Sequence, residues 1–406
     1  MNKYLLVLWL CFLCMAQSDN INYIYYNGYF YDEAPSIVKV NIDSNEEDFS
    51  NQQFDLIYPS AFLFDVSDDQ SKILLSPFND GELIIDFSEL GPLVLYDYIS
   101  KDTLSSSALN ARFTYNSDKI IFMQIDSILP NINPGGDGYL SSIYSYSIDN
   151  QESILISDSI PGLEYYISHD KTKLLFIDEN PTTEIGDIII YDLILDEPDT
   201  LNWNFGYPPR YDSRTNNYFY WAEDDNLYFP EIYNFENNQD SLLKIYKLDI
   251  SENPSSPEVY HSFEDFIGGS ILPYSDHSAN KFIITGTQVG DDHGGMFSFD
   301  VNTGQLDFLH YWSDFYRYPI INTFTSDGSR YILGMFGFMG LNLTPYIFDL
   351  TLGDWGSINH SNPYIGRNLW FQRTNIFARE VDSDSVLSNF KLTYPNSSDT
   401  LYFSQT

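Results

Sequence analysis

Six histidines, His169, His261, His277, His293, His310 and His360, are the only side chains of this chain suited to proton transfer near neutral pH or to imidazole ligation of a metal. Three of them, His261, His277 and His293, are evenly spaced. A metal centre needs ligands that converge and neighbours that orient them, and three histidines within one repeat and its approach do not meet on a shared axis readily. They are therefore expected on the surface or in loops, and neither catalytic residues nor a set of metal ligands is assigned. Two oxygen-rich glycine loops, Asp291-Asp292-His293-Gly294-Gly295 and Asn133-Pro134-Gly135-Gly136-Asp137-Gly138, have the composition to wrap calcium. Neither has the alternating acids of a dedicated calcium loop, so tight hairpin turns are the expected use and calcium is the single cofactor considered. The second loop also lacks the following helix and lysine that phosphate cradling requires.

Thiol chemistry is expected to be absent, because Cys11 and Cys14 both fall in residues 1–16. That segment has Lys3, an apolar run over residues 5–13 and a small residue at Ala16, the pattern of a secretory signal peptide whose apolar run is too short to cross a bilayer. A lipid anchor on Cys14 is the rival reading, opposed by the large Leu13 before it. Removal of residues 1–16 leaves 18 basic and 58 acidic residues, a net charge of −40. Such a surface repels nucleic acid and anionic membranes and keeps the chain soluble, with a monomer expected. Aromatic residues abound, among them Trp203, Tyr207, Tyr211, Trp221, Trp312, Tyr316, Tyr318 and Trp370. Exposed ones could stack on sugars or anchor a partner, while packing between sheets is expected for most.

The elements that carry these residues recur. A turn bearing Ser or Asp, then a basic or polar residue, then an apolar run is found six times, aligned on Lys72, Lys119, Lys173, Asn217, Lys281 and Arg330 at steps of 47, 54, 44, 64 and 49 residues. A second phrase, an alternating strand ending in Asp, recurs seven times, at Asp43, Asp86, Asp149, Asp192, Asp249, Asp300 and Asp349. The period predicts repeated four-stranded sheets and hence a β-propeller. The extra copy, Ile37 to Asp43, reads as a blade begun by the N-terminal strand and finished by one near the C-terminus, with candidates at Leu369-Trp370-Phe371, Asn375-Ile376-Phe377-Ala378 and Phe390-Lys391-Leu392-Thr393-Tyr394. Seven blades are favoured over eight, closed by pairing of the two terminal strands. The longest step holds an insertion at residues 222–241, a position where propellers can carry binding loops.

The copy Thr325-Ser326-Asp327-Gly328-Ser329-Arg330-Tyr331-Ile332-Leu333 is similar to the S-P-D-G-K-x-I-x-F repeat of the TolB-like, WD40-like propeller family, also found in propeller domains of prolyl-oligopeptidase relatives. Ser67 to Leu75 and Ser168 to Phe176 are looser versions, and the recurring register covers about residues 60 to 350. The repeat's proline is absent from every copy, and its glycine stands only at Gly328. The resemblance implies a secreted or periplasmic propeller that serves as a binding platform or accessory domain. No Gly-x-Ser-x-Gly stretch is found, so a hydrolase domain is not expected.

The expectation is thus an all-β chain with residues 17–406 in one propeller domain, secreted or periplasmic. Its expected role is that of a non-enzymatic scaffold binding a protein, peptide or glycan through one face or the central channel. The competing class is a polysaccharide lyase or glycoside hydrolase with its site at the channel mouth, since the fold supports both.

Overall fold

The computed structural model describes residues 21–28, 36–41, 54–78, 91–108, 110–133, 136–161, 165–179, 186–201, 220–230, 242–250, 257–273, 279–288, 294–311, 317–324, 330–337, 345–349, 354–357, 376–381, 391–393 and 400–402. Among them the chain is all β, with a single 3₁₀ turn at Tyr115–Ser117 and no α-helix. No helix among them is long and apolar enough to cross a membrane.

Five sheets have four antiparallel strands each. The first joins Ile376–Val381, Ile21–Gly28, Ser36–Asn41 and Phe54–Tyr58 in that order. The second is the meander Ala61–Val66, Ile73–Pro77, Leu93–Tyr96, Lys101–Ser105. The third is Asn110–Phe113, Lys119–Asn133, Gly136–Ser147, Glu152–Pro161, and the fourth Tyr166–Ile167, Lys173–Glu179, Gly186–Asp192, Glu197–Leu201. A fifth sheet of seven strands runs from Tyr220–Trp221 to Gln305–Tyr311. The sixth joins Arg317–Phe324, Arg330–Gly337, Pro345–Asp349 and Asp354–Ser357, and Lys391–Thr393 pairs with Thr400–Tyr402 apart from the rest.

The apolar run of each repeat has a direct physical explanation. Side chains alternate faces along a strand, so a strand buried on both sides must be apolar throughout. Ile73 and Leu75 pack with Tyr25 and Ile37 of the first sheet, whereas Leu74 between them packs with Phe113 and Ile120 of the third. In the same way Ile120 and Phe122 face the second sheet, while Ile121 and Met123 face Leu174 and Phe176 of the fourth. Leu175 then turns to Trp221, Leu227 and Phe229 of the fifth. The second strands of the second, third and fourth sheets are thus sandwiched between two neighbouring sheets, and the first five sheets stack face to face in chain order as in a propeller. The first strands Ala61–Val66 and Asn110–Phe113 run beside each other, as do Arg317–Phe324 and Ile376–Val381.

Two sequence readings need correction. The fourth turn phrase is centred on Asn226 and not on Asn217: Tyr220–Trp221 is the first strand, Ala222 to Asp225 the turn, and Asn226–Pro230 the second strand. Moving the register residue to Asn226 turns the uneven steps of 44 and 64 residues into 53 and 55. Residues 222–230 therefore belong to the repeat and not to an insertion, and 231–241 lie outside the described residues. In the second sheet the strand next to Ile73–Pro77 is Leu93–Tyr96, ending at Asp97, whereas Leu83 to Asp86 lie outside the described residues. Gly91 enters that strand with its Cα so close to Pro77 that a Cβ would sit 2.3 Å from the carbonyl oxygen, and only glycine fits.

Candidate functional site at the turn face

In an antiparallel meander the first and third connections emerge at the same end of the sheet. The first connections of the second to fifth sheets share one construction. Gln70, Ser117, Lys171 and Asp225 donate their backbone N–H to the carbonyls of Ser67, Thr114, Ser168 and Ala222, each three residues earlier. All four donors are left-handed, with φ of 57°, 54°, 58° and 62°. In the sequence Gly328 stands at the corresponding place of the copy most similar to the family repeat, whereas these four turns carry the strain of a side chain there.

The Ser and Asp of the phrase hold the turn. The Asp69 carboxylate accepts from Ser67 Oγ at 2.6 Å and from the Ser71 backbone N–H at 3.0 Å. Asp170 repeats this with Ser168 Oγ at 2.6 Å and the Thr172 N–H at 3.0 Å. Burial works against ionisation of both acids, but these hydrogen bonds outweigh it and hold each carboxyl below the usual range. A depressed carboxyl stabilises the fold above its unfolded pKa and loses that contribution as pH falls into the acid range. Asp69→Ala and Asp170→Ala are each expected to lower stability by about 1 kcal/mol at pH 7 and by less at pH 3, which urea titration at the two pH values measures.

Turns of successive sheets meet. The Asp68 N–H lies 3.5 Å from Ser117 Oγ, the Tyr115 N–H donates to the Lys171 carbonyl at 3.2 Å, and Lys171 Nζ reaches Asp68 at 2.6 Å. A residue of the fourth sheet thus pairs with one of the second across the third, which requires the three turns to converge. Lys173 pairs with Asp225 of the fifth sheet, and Lys119 of the third donates to the Leu193 carbonyl and pairs with Asp196 of the fourth.

In three sheets the Asp that ends the third strand caps the turn after it. Asp97 accepts from the backbone of Ile99 and Ser100, Asp192 from Ile194 and Leu195, and Asp300 from Thr303. The first two turns raise aliphatic side chains into solvent: Ile99 is 95% exposed, Ile194 65% and Leu195 68%, with Tyr115 at 54% in the neighbouring first connection. The sequence shows these as large apolar residues directly after a turn-forming Asp, a signal that the alternating-strand pattern obscures.

The described histidines lie on separate elements. His169 is exposed in the turn of the fourth sheet. His261 lies between Phe263 and Phe299 at ring centroids of 4.5 and 4.6 Å, and burial pushes its imidazole down. His310 stands opposite Met296 on an outer strand, and His277, His293 and His360 lie outside the described residues. Among the described residues no three His, Cys, Asp or Glu stand together as for a metal. Asn133 and Gly136 face each other across a hairpin, and Gly294 opens the strand that returns along Lys281–Gln288. Trp221 is 5% exposed and donates Nε1–H to Asp225, while Tyr318 sits in Arg317–Phe324. Trp203, Tyr207, Tyr211, Trp312, Tyr316 and Trp370 lie outside the described residues.

No family model and no curated protein matches the chain. Solved structures do. Prolyl oligopeptidase B from Galerina marginata is similar over 87% of this chain and 52% of its own, at 11% identity and a TM-score of 0.51. The β-propeller domain of the Trilobed protease from Pyrococcus furiosus is similar over 80% and 97%, at 12% identity and a TM-score of 0.49. TolB from Acinetobacter baumannii follows over 85% and 81%, at 13% identity and 0.44. At such identities the likeness is one of fold, and the chain is a β-propeller-like protein of repeated four-stranded sheets.

Proposed function

We propose that this chain is an exported β-propeller of seven blades that binds a protein, peptide or glycan through its turn face. The seven-stranded sheet supports the count, because Glu258–Pro273 pairs through its first half with Leu242–Asp249 and through its second half with Lys281–Gln288. It serves as the last strand of one blade and the first of the next, which with the five four-stranded sheets makes seven. The pairing of Ile376–Val381 along Ile21–Gly28 supports closure, because a strand from the C-terminal part that completes the first blade would protect the edges of the ring.

The observation that carries the binding role is the convergence of turns from three sheets at one end, which presents large exposed apolar residues on an otherwise polar face. The test is a glycan array and partner capture from extracellular and periplasmic extracts with residues 17–406, run beside assays for polysaccharide cleavage. A saturable ligand with no turnover supports the scaffold. Release of unsaturated or reducing sugar ends overturns it in favour of a lyase or hydrolase.

A further inference from the structure

We infer that the apolar tips of the turn face dock a basic amphipathic segment of another protein. This rests on the scaffold reading above and names the partner of that same surface. Turn positions normally carry Gly, Asn, Asp, Ser or Pro, and a solitary exposed aliphatic needs no explanation. Here Ile99, Ile194 and Leu195 occupy the tips of two corresponding turns, with half-exposed Tyr115 in the sheet between them. Each tip is pinned outward by the carboxylate behind it, through the bonds of Asp97 and Asp192 to the tip N–H groups. Burying such side chains against a partner is favourable by an amount that no contact within the chain supplies.

Charge selects the occupant. Exposed carboxylates flank the tips, among them Asp97, Asp102, Asp118, Asp196 and Glu197. Of the lysines near the tips, Lys119, Lys171 and Lys173 face Asp196, Asp68 and Asp225, and Lys101 beside Ile99 lies over the ring of Tyr58. The backbone N–H groups of Ser100 and Ile99 hold the Asp97 carboxyl below the usual range, so it stays ionised through the neutral range. A second copy with net charge −39 or an anionic lipid surface would be repelled, whereas a segment with apolar residues on one face and Lys or Arg beside them meets both features.

The test uses residues 17–406 and a synthetic amphipathic helical peptide of Leu and Lys, about 14 residues long. A Ser and Lys peptide of equal charge is the comparison, with affinities measured by calorimetry at fixed salt. The Leu and Lys peptide is expected to bind at least about tenfold more tightly than its polar counterpart. The triple variant Ile99→Ser, Ile194→Ser, Leu195→Ser is expected to lose that difference at an unchanged melting temperature. The pair Ile154→Ser and Leu155→Ser, on an outer strand where both are also exposed, is expected to keep it. Equal binding of both peptides, no binding of either, or the same loss in the outer-strand pair overturns the proposal. Self-association removed by the triple variant would assign the face to a second copy, and binding to phosphatidylcholine vesicles would assign it to a membrane; either result also overturns it. A partner found by capture that binds the triple variant as well as the wild type would leave the scaffold standing and remove this face from it.

Discussion

Asp65→Ala is expected to lower the unfolding free energy by about 3 kcal/mol, the largest effect of any single polar truncation proposed for this chain. Asp65 is 3% exposed on the first strand of the second sheet. One carboxylate oxygen accepts from its own neighbour's N–H, Val66, at 2.8 Å, and the other from the N–H of Phe113 at 2.9 Å, 48 residues away in the third sheet. Beside it Arg112 reaches back with Nη1 to the Phe64 carbonyl. The two first strands are thus sewn together by a carboxylate going one way and a guanidinium going the other. Removing the acid takes the acceptor from the buried N–H of Phe113, which recovers no water in exchange. Asp68→Ala, three residues on, breaks the ion pair to Lys171, but the Asp68 side chain is 56% exposed and that loss is expected to stay under about 1 kcal/mol. Urea unfolding of the two variants side by side separates these expectations. Equal midpoints would mean that the buried clamp does no more than a surface pair.

The same contrast explains what could be read from the sequence. The second strands were visible because their burial on both faces writes a local signature, Ile73 to Leu75 or Leu174 to Phe176, that needs no partner to be recognised. The closing Asp was visible at Asp192 and Asp300, and its reason is equally local: it caps the turn two and three residues ahead; at Asp97 it was missed, because Leu83 to Asp86 has the same composition. Where two apolar runs competed within a few residues, the pattern misled. Asn217 to Tyr220 has the composition of a second strand, and only the hydrogen bond from Asp225 to Ala222 shows that the turn comes after it. The face itself could not be read. Lys171 and Asp68 are 103 residues apart, and Lys119 and Asp196 are 77 apart, so their meeting depends on how sheets stack and not on any neighbouring residue. Nor does alternation mark Ile99 or Ile194 as exposed, because an aliphatic residue beside a strand reads as core until the turn is placed.

Stability is expected to rise between pH 8 and about 10, and Lys39 is the reason. Lys39 is 8% exposed in the first sheet, with Nζ 3.7 Å from the centroid of Tyr23 and 5.3 Å from that of Tyr25. Burial pushes its ammonium down to about 8, and the charge of Asp55 on the adjoining strand pulls back only in part. Below pH 8 the folded chain carries the full cost of a buried cation. Above it the folded chain sheds a proton that the unfolded chain keeps until its ordinary value of 10.5, so the unfolded state binds more protons and stability climbs with pH. The climb ends where tyrosines take over. Burial pushes Tyr98 up to about 12, so above pH 10 the unfolded chain ionises first and is favoured. Lys39→Met is expected to abolish the rise and, at pH 7, to gain about 1 to 2 kcal/mol, because relief of the buried charge exceeds the lost cation–π contact of about 1 kcal/mol. Urea midpoints of both proteins at half-unit steps from pH 7 to 11 decide it. A wild-type profile that is flat from pH 8 to 10, or one that Lys39→Met leaves unchanged, would show that the ammonium is solvated and that the two tyrosines hold it without cost.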